Sequence, residues 1–344
     1  MYGSSSSGAG APGGGGAARP RKVTAPDLRA RKTLGDDGRV ATSERIVMVT
    51  AYDFTMARLL DRAGVDVMLV GDSLGMVFQG RDSTIPVTLD EVCYHCRAVA
   101  RGAERAHVVG DMPFMSYQIS PAQALESAGK LVKGGMAESV KLEGGADYAE
   151  HTRRIVRAGI PVMGHVGLLP QSMHALGGFK VQGKSDAEAQ RIVTDAQALE
   201  DAGAYAIVLE AVPPDVAARV TAAVSVPTIG IGAGPDCDGQ VLVCADMLGL
   251  TVGRLPRFVK RYAELGEAVS QATAAFAAEV RSQAFPAPEH CYAPGAGRAA
   301  VSPRAVTSAA ESGPRATEAE VAGPRHPPSR TRRLLRPPIK LVAS

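Results

Sequence analysis

The chain has 344 residues, 45 % of them hydrophobic and none of them Trp, enough for one large domain or two small ones with an aliphatic core. No segment of 18 or more residues is apolar throughout, so we expect no membrane span. The net charge of the whole chain is +3. Residues 1–26 contribute +3, from three basic residues and no acid, and residues 295–344 contribute +6, from nine basic and three acidic residues. The stretch between them therefore carries a net charge of −6. Because nucleic-acid binding needs a basic folded surface, we expect no nucleic-acid partner.

The two ends of the chain differ in composition from the rest. Residues 1–22 are rich in Ser, Gly and Ala without a hydrophobic period, and residues 295–344 are rich in Pro, Arg, Ser and Ala. Both patterns predict disordered tails, the second one basic. The first tail lacks the apolar core of a secretory signal, so we expect a cytoplasmic protein. Its acid-free start leaves organelle targeting open, although the run from Gly13 to Gly16 argues against an amphipathic transit peptide.

Between the tails, short β-branched runs alternate with amphipathic stretches. Strands are predicted at 46–51, 67–70, 107–110, 139–142, 162–164, 206–209, 228–231 and 240–244, and helices at 55–63, 89–101, 121–133, 148–157, 187–202 and 215–224. Parallel strands need a crossover helix, and eight such units match a (β/α)₈ TIM barrel. We therefore predict an α/β barrel as the catalytic domain, residues 23–294. The alternative is a doubly wound open sheet. A further helix at 263–281 would pack outside the barrel or against a neighbouring subunit.

Polar side chains stand where five of these strands end. They are Asp72 with Ser73, then Asp111, Glu143, His165 and Glu210. In a TIM barrel the carboxyl ends of all strands open on one face, which is where active sites lie. A single acid after a strand is often a helix N-cap. Several converging carboxylates repel one another unless a cation or a proton intervenes, so the set as a whole indicates a site.

The types of residue suggest their chemistry. Asp72, Asp111 and Glu143 offer the oxygen ligands that Mg²⁺ prefers, and no paired His/Cys set favours zinc. Lys141 has the same parity as Glu143 on one strand, so both should face the interior, where a Lys needs an anion such as a substrate carboxylate or oxyanion. Glu210 lies farther around the barrel and is a candidate proton acceptor.

Two other motifs are interpreted as structural. Cys93 and Cys96 form a C-x-x-C in a helical stretch with no second pair to complete a zinc site, so ordinary packing is expected. The glycines Gly230, Gly232 and Gly234 lack the full spacing of a dinucleotide fingerprint. We interpret this loop as room for substrate at the barrel mouth.

Many separate motifs resemble, in order, those of the ketopantoate hydroxymethyltransferase family, from about Val23 to about Tyr292. The matching stretches are 70–75 (VGDSLG), 82–88 (DSTIPVT), 111–115 (DMPFM), 141–145 (KLEGG), 164–168 (GHVGL), 170–172 (PQS), 178–183 (GFKVQG), 209–210 (LE) and 230–234 (GIGAG). The resemblance implies hydroxymethyl transfer from 5,10-methylenetetrahydrofolate to 3-methyl-2-oxobutanoate, giving 2-dehydropantoate in pantothenate and coenzyme A biosynthesis. It also implies a homodecamer acting on small molecules, with no covalent cofactor.

The resemblance also implies a role for each site residue. Asp72 and Asp111 correspond to ligands of Mg²⁺ that also contact the substrate, and Glu143 to a ligand, direct or through water. Ser73 and Lys141 correspond to substrate-binding residues. Glu210 corresponds to the catalytic base and His165 to an active-site partner of the substrate. One departure is Ala211, where the family commonly has Cys, and a small side chain there should not disturb the chemistry.

Two alternatives remain at this point. A magnesium-dependent lyase or aldolase on the same barrel would share the metal carboxylates but not the use of folate. A non-catalytic scaffold that recruits partners through its basic tails is the other, although a scaffold has no reason to hold unpaired acids together. If the chain is a transferase, water must be kept from the reactive iminium formed from the folate. We hypothesise that a loop near residues 79–84 closes over the site to exclude it.

Overall fold

A computed structural model describes residues 20–32 and 45–292. The predicted tails, 1–22 and 295–344, lie outside the described residues except for residues 20–22. The chain divides into two compact units, residues 1–285 and 286–344. In the second unit the described residues hold a single 3₁₀ turn, Pro288–His290. The first unit carries the fold described below.

The described residues form a closed barrel of eight strands in sequence order, with every neighbouring pair parallel. The strands are β1 (Ile46–Thr50), β2 (Val67–Val70), β3 (His107–Asp111), β4 (Ser139–Glu143), β5 (Val162–Gly167), β6 (Ala206–Glu210), β7 (Thr228–Ile231) and β8 (Gly239–Leu242). The predicted TIM barrel is confirmed and the open sheet is excluded, because β8 pairs with β1.

Eleven α-helices occur in the described part of the chain: α1 (Ala25–Arg29), α2 (Phe54–Arg62), α3 (Leu74–Val77), α4 (Leu89–Gly102), α5 (Pro121–Lys133), α6 (Ala149–Arg157), α7 (Met173–Leu176), α8 (Asp186–Asp201), α9 (Pro214–Ala223), α10 (Cys244–Met247) and α11 (Leu265–Arg281). All six predicted crossover helices are present within one residue at each end. No helix intervenes between β7 and β8, where only seven residues separate the two strands.

Local sequence explains where these elements start and stop. The α4 and α8 helices begin with capping boxes, in which Thr88 pairs with Glu91 and Ser185 with Glu188. The α8 helix ends before Gly203, whose φ of 100° is the left-handed geometry expected one residue past a helix end. These signals fix the helix lengths, and therefore the places where each strand re-enters the barrel.

Alternate residues of each strand enter different apolar clusters. One cluster fills the barrel interior and includes Met48, Leu69, Met163 and Ile229. The other two lie between strands and helices, as where Val140 packs with Leu131. Burial on both faces explains why the strands are continuous apolar runs. Cys93 and Cys96, both buried free thiols on α4, belong to this packing as predicted.

The amino-terminal segment closes the barrel at the start of the strands. Leu28 of α1 is fully buried in the interior cluster. Lys32 Nζ lies 2.8 Å from Asp238 Oδ2, and Arg31 Nη1 lies 2.8 Å from Asp66 Oδ2, each acid standing just before a strand. With this end occupied, substrate access is left to the carboxyl ends of the strands.

Candidate active site at the carboxyl ends of the strands

The predicted site residues all lie at one end of the barrel. Lateral strand pairing sets Asp111 opposite Lys141, Glu143 opposite His165, and Gly167 opposite Glu210. The side chains are strongly buried, with relative exposures of 4 % for Asp72 and Lys141, 2 % for Glu143 and His165, and 1 % for Asp111. The barrel therefore brings together residues separated by up to 138 positions in the sequence.

The side chains of these residues do not cap the helices that follow their strands. Within the described residues the side chain of Ser73 makes no cap hydrogen bond to α3, and the N-caps of α5 and α9 are Ser120 and Pro213. The Ser73 hydroxyl instead lies 2.9 Å from the hydroxyl of Tyr52, a fully buried residue of the loop after β1. The capping alternative raised by the sequence does not apply.

Asp111 and Lys141 form a buried ion pair, with Lys141 Nζ 2.8 Å from Asp111 Oδ1. The other oxygen, Asp111 Oδ2, accepts a hydrogen bond from the backbone N–H of Asp72 at 3.1 Å. Burial raises the pKa of Asp111 to about 7; Lys141 opposes this rise and Asp72 adds to it. Burial alone would lower the pKa of Lys141, but the carboxylates of Asp111 and then Glu143 outweigh burial, so the pKa of its ammonium is raised. Acidic groups thus outnumber basic groups in this cluster, and burial and mutual repulsion favour their protonated forms until a cation binds.

Glu143 is held at the end of β4 by backbone geometry. The next residue, Gly144, has φ 117°, and a Cβ there would collide with the Tyr148 ring. Glu143 Oε2 accepts the backbone N–H of Gln171 at 3.1 Å, whereas Oε1 has no hydrogen-bond partner among the described residues. Burial, followed by the nearby Asp72 carboxylate, raises the pKa of Glu143 well above its usual range. A buried carboxyl oxygen without a partner is what a cation or a bound water would satisfy.

The carboxylates fit a magnesium ion with substrate present better than a closed protein cage. Within residues 20–32 and 45–292, no three His, Cys, Asp or Glu side chains are arranged to hold a metal ion on their own. Mg²⁺ usually takes one or two protein carboxylates and completes its coordination with water and substrate oxygens. A set of mutually repelling carboxyl groups, one with an unpartnered oxygen, is compatible with that mode.

His165 lies between the acid cluster and Glu210. Its Nδ1 is 3.5 Å from Lys141 Nζ and 3.6 Å from Glu143 Oε1, and its Nε2 is 3.4 Å from Glu210 Oε2. Burial and then the Lys141 charge lower the pKa of His165 well below its ordinary value, so the ring is neutral at pH 7. Within the described residues His165 Nε2 makes no hydrogen bond, although Glu210 Oε2 lies 3.4 Å away.

Glu210 is the most open of the acids, with 19 % of its side chain exposed. Burial raises its pKa to about 8; Lys141 opposes the rise, and Asp72 and Asp111 reinforce it. The backbone turns sharply after it, since Ala211 has φ 47°, a conformation that is strained for a residue with a Cβ. Hydrogen bonds from Ala211 N to Ile231 O and from Gln182 N to Ala211 O, both 2.9 Å, hold this turn.

Sequence reasoning assigned no role to two buried residues of the site, Gln171 and Tyr117. Gln171 lies in the 3₁₀ turn Pro170–Ser172 after β5, and Tyr117 lies in the loop after β3. The family resemblance included the stretch 170–172, and this was the only sign in the sequence that Gln171 belongs to the site.

The loop near residues 79–84 is bound to α4. Glu91 Oε1 accepts a hydrogen bond from Gln79 Nε2 at 3.0 Å and lies 2.6 Å from Arg81 Nη2. Its closure stays a prediction.

Comparison with known proteins identifies the family. The model of the ketopantoate hydroxymethyltransferase family matches residues 28–288. The chain belongs to this family. Among relatives, the 3-methyl-2-oxobutanoate hydroxymethyltransferase of Anaeromyxobacter sp. (strain K) is 56 % identical over 278 residues, which cover 79 % of this chain and 88 % of the relative. That of Syntrophotalea carbinolica is 52 % identical over 266 residues, covering 77 % of this chain and all of the relative.

The fold of this ketopantoate hydroxymethyltransferase family member also occurs in more distant proteins. The crystal structure of phosphoenolpyruvate phosphomutase from Streptomyces platensis subsp. rosaceus matches with a TM-score of 0.50 and 15 % identity, over 79 % of this chain and 92 % of that one. At this identity the match shows a shared barrel and nothing about the reaction. No helix within the described residues is long and apolar enough to cross a membrane.

Proposed function

We propose that this chain transfers a hydroxymethyl group from 5,10-methylenetetrahydrofolate to 3-methyl-2-oxobutanoate. The products are 2-dehydropantoate and tetrahydrofolate, and the reaction serves pantothenate and coenzyme A biosynthesis. Family membership supports the reaction class. The observation that carries the chemistry is the placement of Glu210, a carboxyl group with a pKa of about 8, at the edge of a buried cluster of three acids and Lys141.

The substrate presents a carboxylate and an adjacent keto group, which match the polar groups of the site. Lys141 Nζ supplies a buried positive charge and Ser73 a hydroxyl, and both are suited to oxygen atoms of a 2-oxo acid. Tyr52 holds the Ser73 hydroxyl in place. We assign Lys141 and Ser73, with Asp72 and Asp111 close by, to substrate binding.

Asp72 and Asp111 are the residues that would hold Mg²⁺, with Glu143 as a ligand either directly or through water. When bound there, the ion would act as a Lewis acid that stabilises negative charge developing on the keto oxygen. The protein contributes the orientation of the carboxylates and the exclusion of water around them.

Glu210 is proposed as the base that removes the proton from C3 of the substrate. The C3–H bond breaks, its electron pair forms the C2=C3 double bond of the enolate, and the proton passes to the Glu210 carboxylate. A carboxylate with a raised pKa is a stronger base at neutral pH than an ordinary one. His165, whose Nε2 lies 3.4 Å from Glu210 Oε2 without a hydrogen bond to it, is assigned as a partner of the substrate beside the base.

One carbon–nitrogen bond of the folate methylene group opens to give an iminium, and the enolate double-bond pair forms the new bond from C3 to that methylene carbon. Water then displaces the remaining folate nitrogen from the methylene carbon and supplies the hydroxyl oxygen. Tetrahydrofolate leaves with the two protons, one from Glu210 and one from water.

A homo-oligomer is proposed as the working form, with a decamer suggested by the family resemblance. The α11 helix supports self-association, because none of its 17 residues, all of them described, is buried in this chain. Its residues Leu265, Val269, Phe276 and Val280 are between 39 and 58 % exposed. Light scattering should give a mass of several chains, and a monomer would contradict this part of the proposal. Cytoplasmic localisation stays a prediction of the sequence.

The test of the proposed function is product formation from both substrates. Purified protein is mixed with 3-methyl-2-oxobutanoate, Mg²⁺ and 5,10-methylenetetrahydrofolate, and 2-dehydropantoate and tetrahydrofolate are quantified by mass spectrometry. We expect equal amounts of both products from the wild type and almost none from Asp111→Asn, which keeps the shape and removes the charge. The variant Glu150→Gln, on the exposed face of α6, is the matched control and should retain the wild-type rate.

The alternatives make different predictions in the same assay. A lyase of the same barrel would process 2-oxo acids without consuming the folate. A scaffold would give no product but would lose its partners when the segments before residue 23 and after residue 294 are removed, whereas a transferase should keep its activity. Folate-independent turnover, or no turnover with both substrates and Mg²⁺ present, would exclude the proposed function.

A further inference from the structure

We propose that Gln171 is a positioning residue for the metal site, which orients the carboxylates of Asp72 and Glu143 so that each keeps one oxygen available for a divalent cation. The inference rests on the proposed function, because it assumes that these acids hold Mg²⁺. It assigns a role to a residue that lies on none of the strands carrying the acids.

Gln171 is 4 % exposed, and both polar atoms of its side chain lie within hydrogen-bonding distance of two partners each. Its Nε2 donates to Asp72 Oδ2 and to the backbone oxygen of Met112, both at 3.0 Å. Its Oε1 lies 3.0 Å from the Tyr117 hydroxyl and accepts from Gln118 Nε2 at 3.1 Å. These partners fix the amide orientation, since a flipped amide would set Oε1 against two acceptors.

The backbone of the same residue holds the second carboxylate. Gln171 N donates to Glu143 Oε2 at 3.1 Å, while Glu143 Oε1 has no hydrogen-bond partner in the described part of the chain. One residue therefore binds one oxygen of Asp72 and one oxygen of Glu143. This arrangement leaves Glu143 Oε1 without a hydrogen bond, 3.6 Å from His165 Nδ1, and it leaves the second oxygen of Asp72 free of the amide.

A neutral amide suits this place because it donates hydrogen bonds without adding positive charge. Lys141 already contributes one positive charge beside Asp111. A second cationic side chain between Asp72 and Glu143 would neutralise the field that attracts a divalent ion. Gln171 hydrogen-bonds to the carboxyl groups and adds no charge to the cluster.

The Tyr117 hydroxyl contacts both Gln171 and the backbone of Glu143 at the end of β4. Its hydroxyl lies 2.9 Å from the Glu143 carbonyl oxygen, accepts the Glu143 N–H at 3.1 Å, and can donate its single proton to that carbonyl or to Gln171 Oε1. Tyr117 is 1 % exposed and packs against the ring of Tyr148. The loops after β3, β4 and β5 are thus joined around Gln171.

The test measures cation affinity rather than turnover. Wild type and Gln171→Met, which keeps the length of the side chain but cannot hydrogen-bond, are titrated with Mn²⁺ and followed by electron paramagnetic resonance. The titration is done with and without a fixed concentration of 3-methyl-2-oxobutanoate, and no folate is added. We expect the Kd for Mn²⁺ to rise roughly 10- to 100-fold in Gln171→Met, the usual effect of losing a residue that orients metal ligands. In the control Gln123→Met, the side chain that is lost hydrogen-bonds only to backbone atoms of Met115 and Ile119. The Kd of this variant for Mn²⁺ should stay within about 3-fold of the wild-type value.

A merely structural role would change stability instead of affinity, so thermal unfolding is recorded in EDTA for every variant. If Gln171→Met does not fold, Tyr117→Phe replaces it, because this change removes the hydroxyl that joins Gln171 to the backbone of Glu143. We expect a smaller increase in the Kd for Mn²⁺, and a Kd equal to that of the wild type overturns the inference. A folded Gln171→Met that binds Mn²⁺ as tightly as the wild type overturns the inference.

The two proposals fail in different ways. If the wild type forms 2-dehydropantoate but Gln171→Met keeps the wild-type Kd, only the positioning role is wrong. If the wild type binds Mn²⁺ and Gln171→Met weakens that binding, the positioning role stands even when no 2-dehydropantoate is formed. A wild type that binds no Mn²⁺ overturns both the metal assignment and the role of Gln171.

Discussion

Replacing Glu210 with Gln should stabilise the metal-free protein, and the gain should grow with pH. The pKa of Glu210 is raised from 4.5 to about 8 in the folded chain. Between these two values the unfolded chain has lost a proton that the folded chain keeps, so the stability of the wild type falls as pH rises through this window. Glu210→Gln carries no such penalty because its side chain does not ionise.

The size of the effect follows from the two pKa values. One pKa unit corresponds to about 1.4 kcal/mol, so the penalty on the wild type amounts to about 1 kcal/mol at pH 5 and about 3 kcal/mol at pH 7. These are upper limits, because 19 % of the Glu210 side chain is exposed to solvent. We therefore expect the advantage of Glu210→Gln to increase by about 1–2 kcal/mol between pH 5 and pH 7.

The assay is urea unfolding in EDTA at pH 5 and pH 7, at one protein concentration, for the wild type, Glu210→Gln and Glu150→Gln. The control Glu150→Gln removes an exposed carboxylate paired with Arg153 and should change the free energy of unfolding by less than about 1 kcal/mol at both pH values. Added Mg²⁺ should shrink the advantage of Glu210→Gln, because a nearby cation favours the ionised carboxylate. An equal effect of Glu210→Gln at pH 5 and pH 7 would refute the raised pKa.

Three further changes test other parts of the structure. Ala211→Val should lower the free energy of unfolding by about 1–3 kcal/mol, because a β-branched side chain is strained at φ 47°, whereas Ala211→Gly should stay within about 1 kcal/mol of wild type; urea unfolding measures both. Leu131→Ala should cost about 2–5 kcal/mol by leaving a cavity between α5 and the barrel, with the activity per folded molecule retained. Tyr52→Phe should raise the KM for 3-methyl-2-oxobutanoate several-fold, because the Ser73 hydroxyl loses a partner worth about 0.5–1.5 kcal/mol.

Each of these changes has an outcome that would count against it. Equal stabilities of Ala211→Val and Ala211→Gly would mean that the turn after β6 is not strained. A Leu131→Ala protein as stable as the wild type would contradict the tight packing of α5. An unchanged KM in Tyr52→Phe would remove Ser73 from the substrate-binding assignment.

The fold could be predicted from the sequence because buried parallel strands are unusually apolar. The run 228–231 matched β7 at both ends. The prediction of 162–164 fell short of β5, which extends to Gly167, because Gly164 and His165 interrupt the apolar pattern. Pairing of Gly167 with Glu210 on β6 continues the strand there. That pairing is a tertiary effect that a local pattern does not contain.

Short helices were missed for a related reason. The α1 helix has five residues, too few to show a helical period, although Thr24 and Asp27 form a capping box that marks its start. Most of its stabilisation comes from tertiary packing, such as the burial of Leu28 in the barrel.

The acidic site residues could be placed because barrel topology alone brings the ends of strands together. Asp111, Glu143 and Glu210 end their strands and Asp72 closely follows β2, so their convergence required only the order of elements. Gln171 was different. Its contact with Asp72 spans 99 positions and depends on how the turn after β5 folds back over the barrel mouth. The path of a loop, unlike the position of a strand end, is not set by hydrophobic period.

Proton–deuterium exchange at C3 of 3-methyl-2-oxobutanoate tests most directly whether Glu210 is the base. The substrate is incubated in D₂O with Mg²⁺ and without folate, and loss of the C3 proton signal is followed by NMR for the wild type, Glu210→Gln and the control Glu150→Gln. We predict exchange by the wild type and the control, and a rate about 10²- to 10⁴-fold lower in Glu210→Gln. Exchange at the wild-type rate in Glu210→Gln, or no exchange by the metal-loaded wild type, would contradict the assignment.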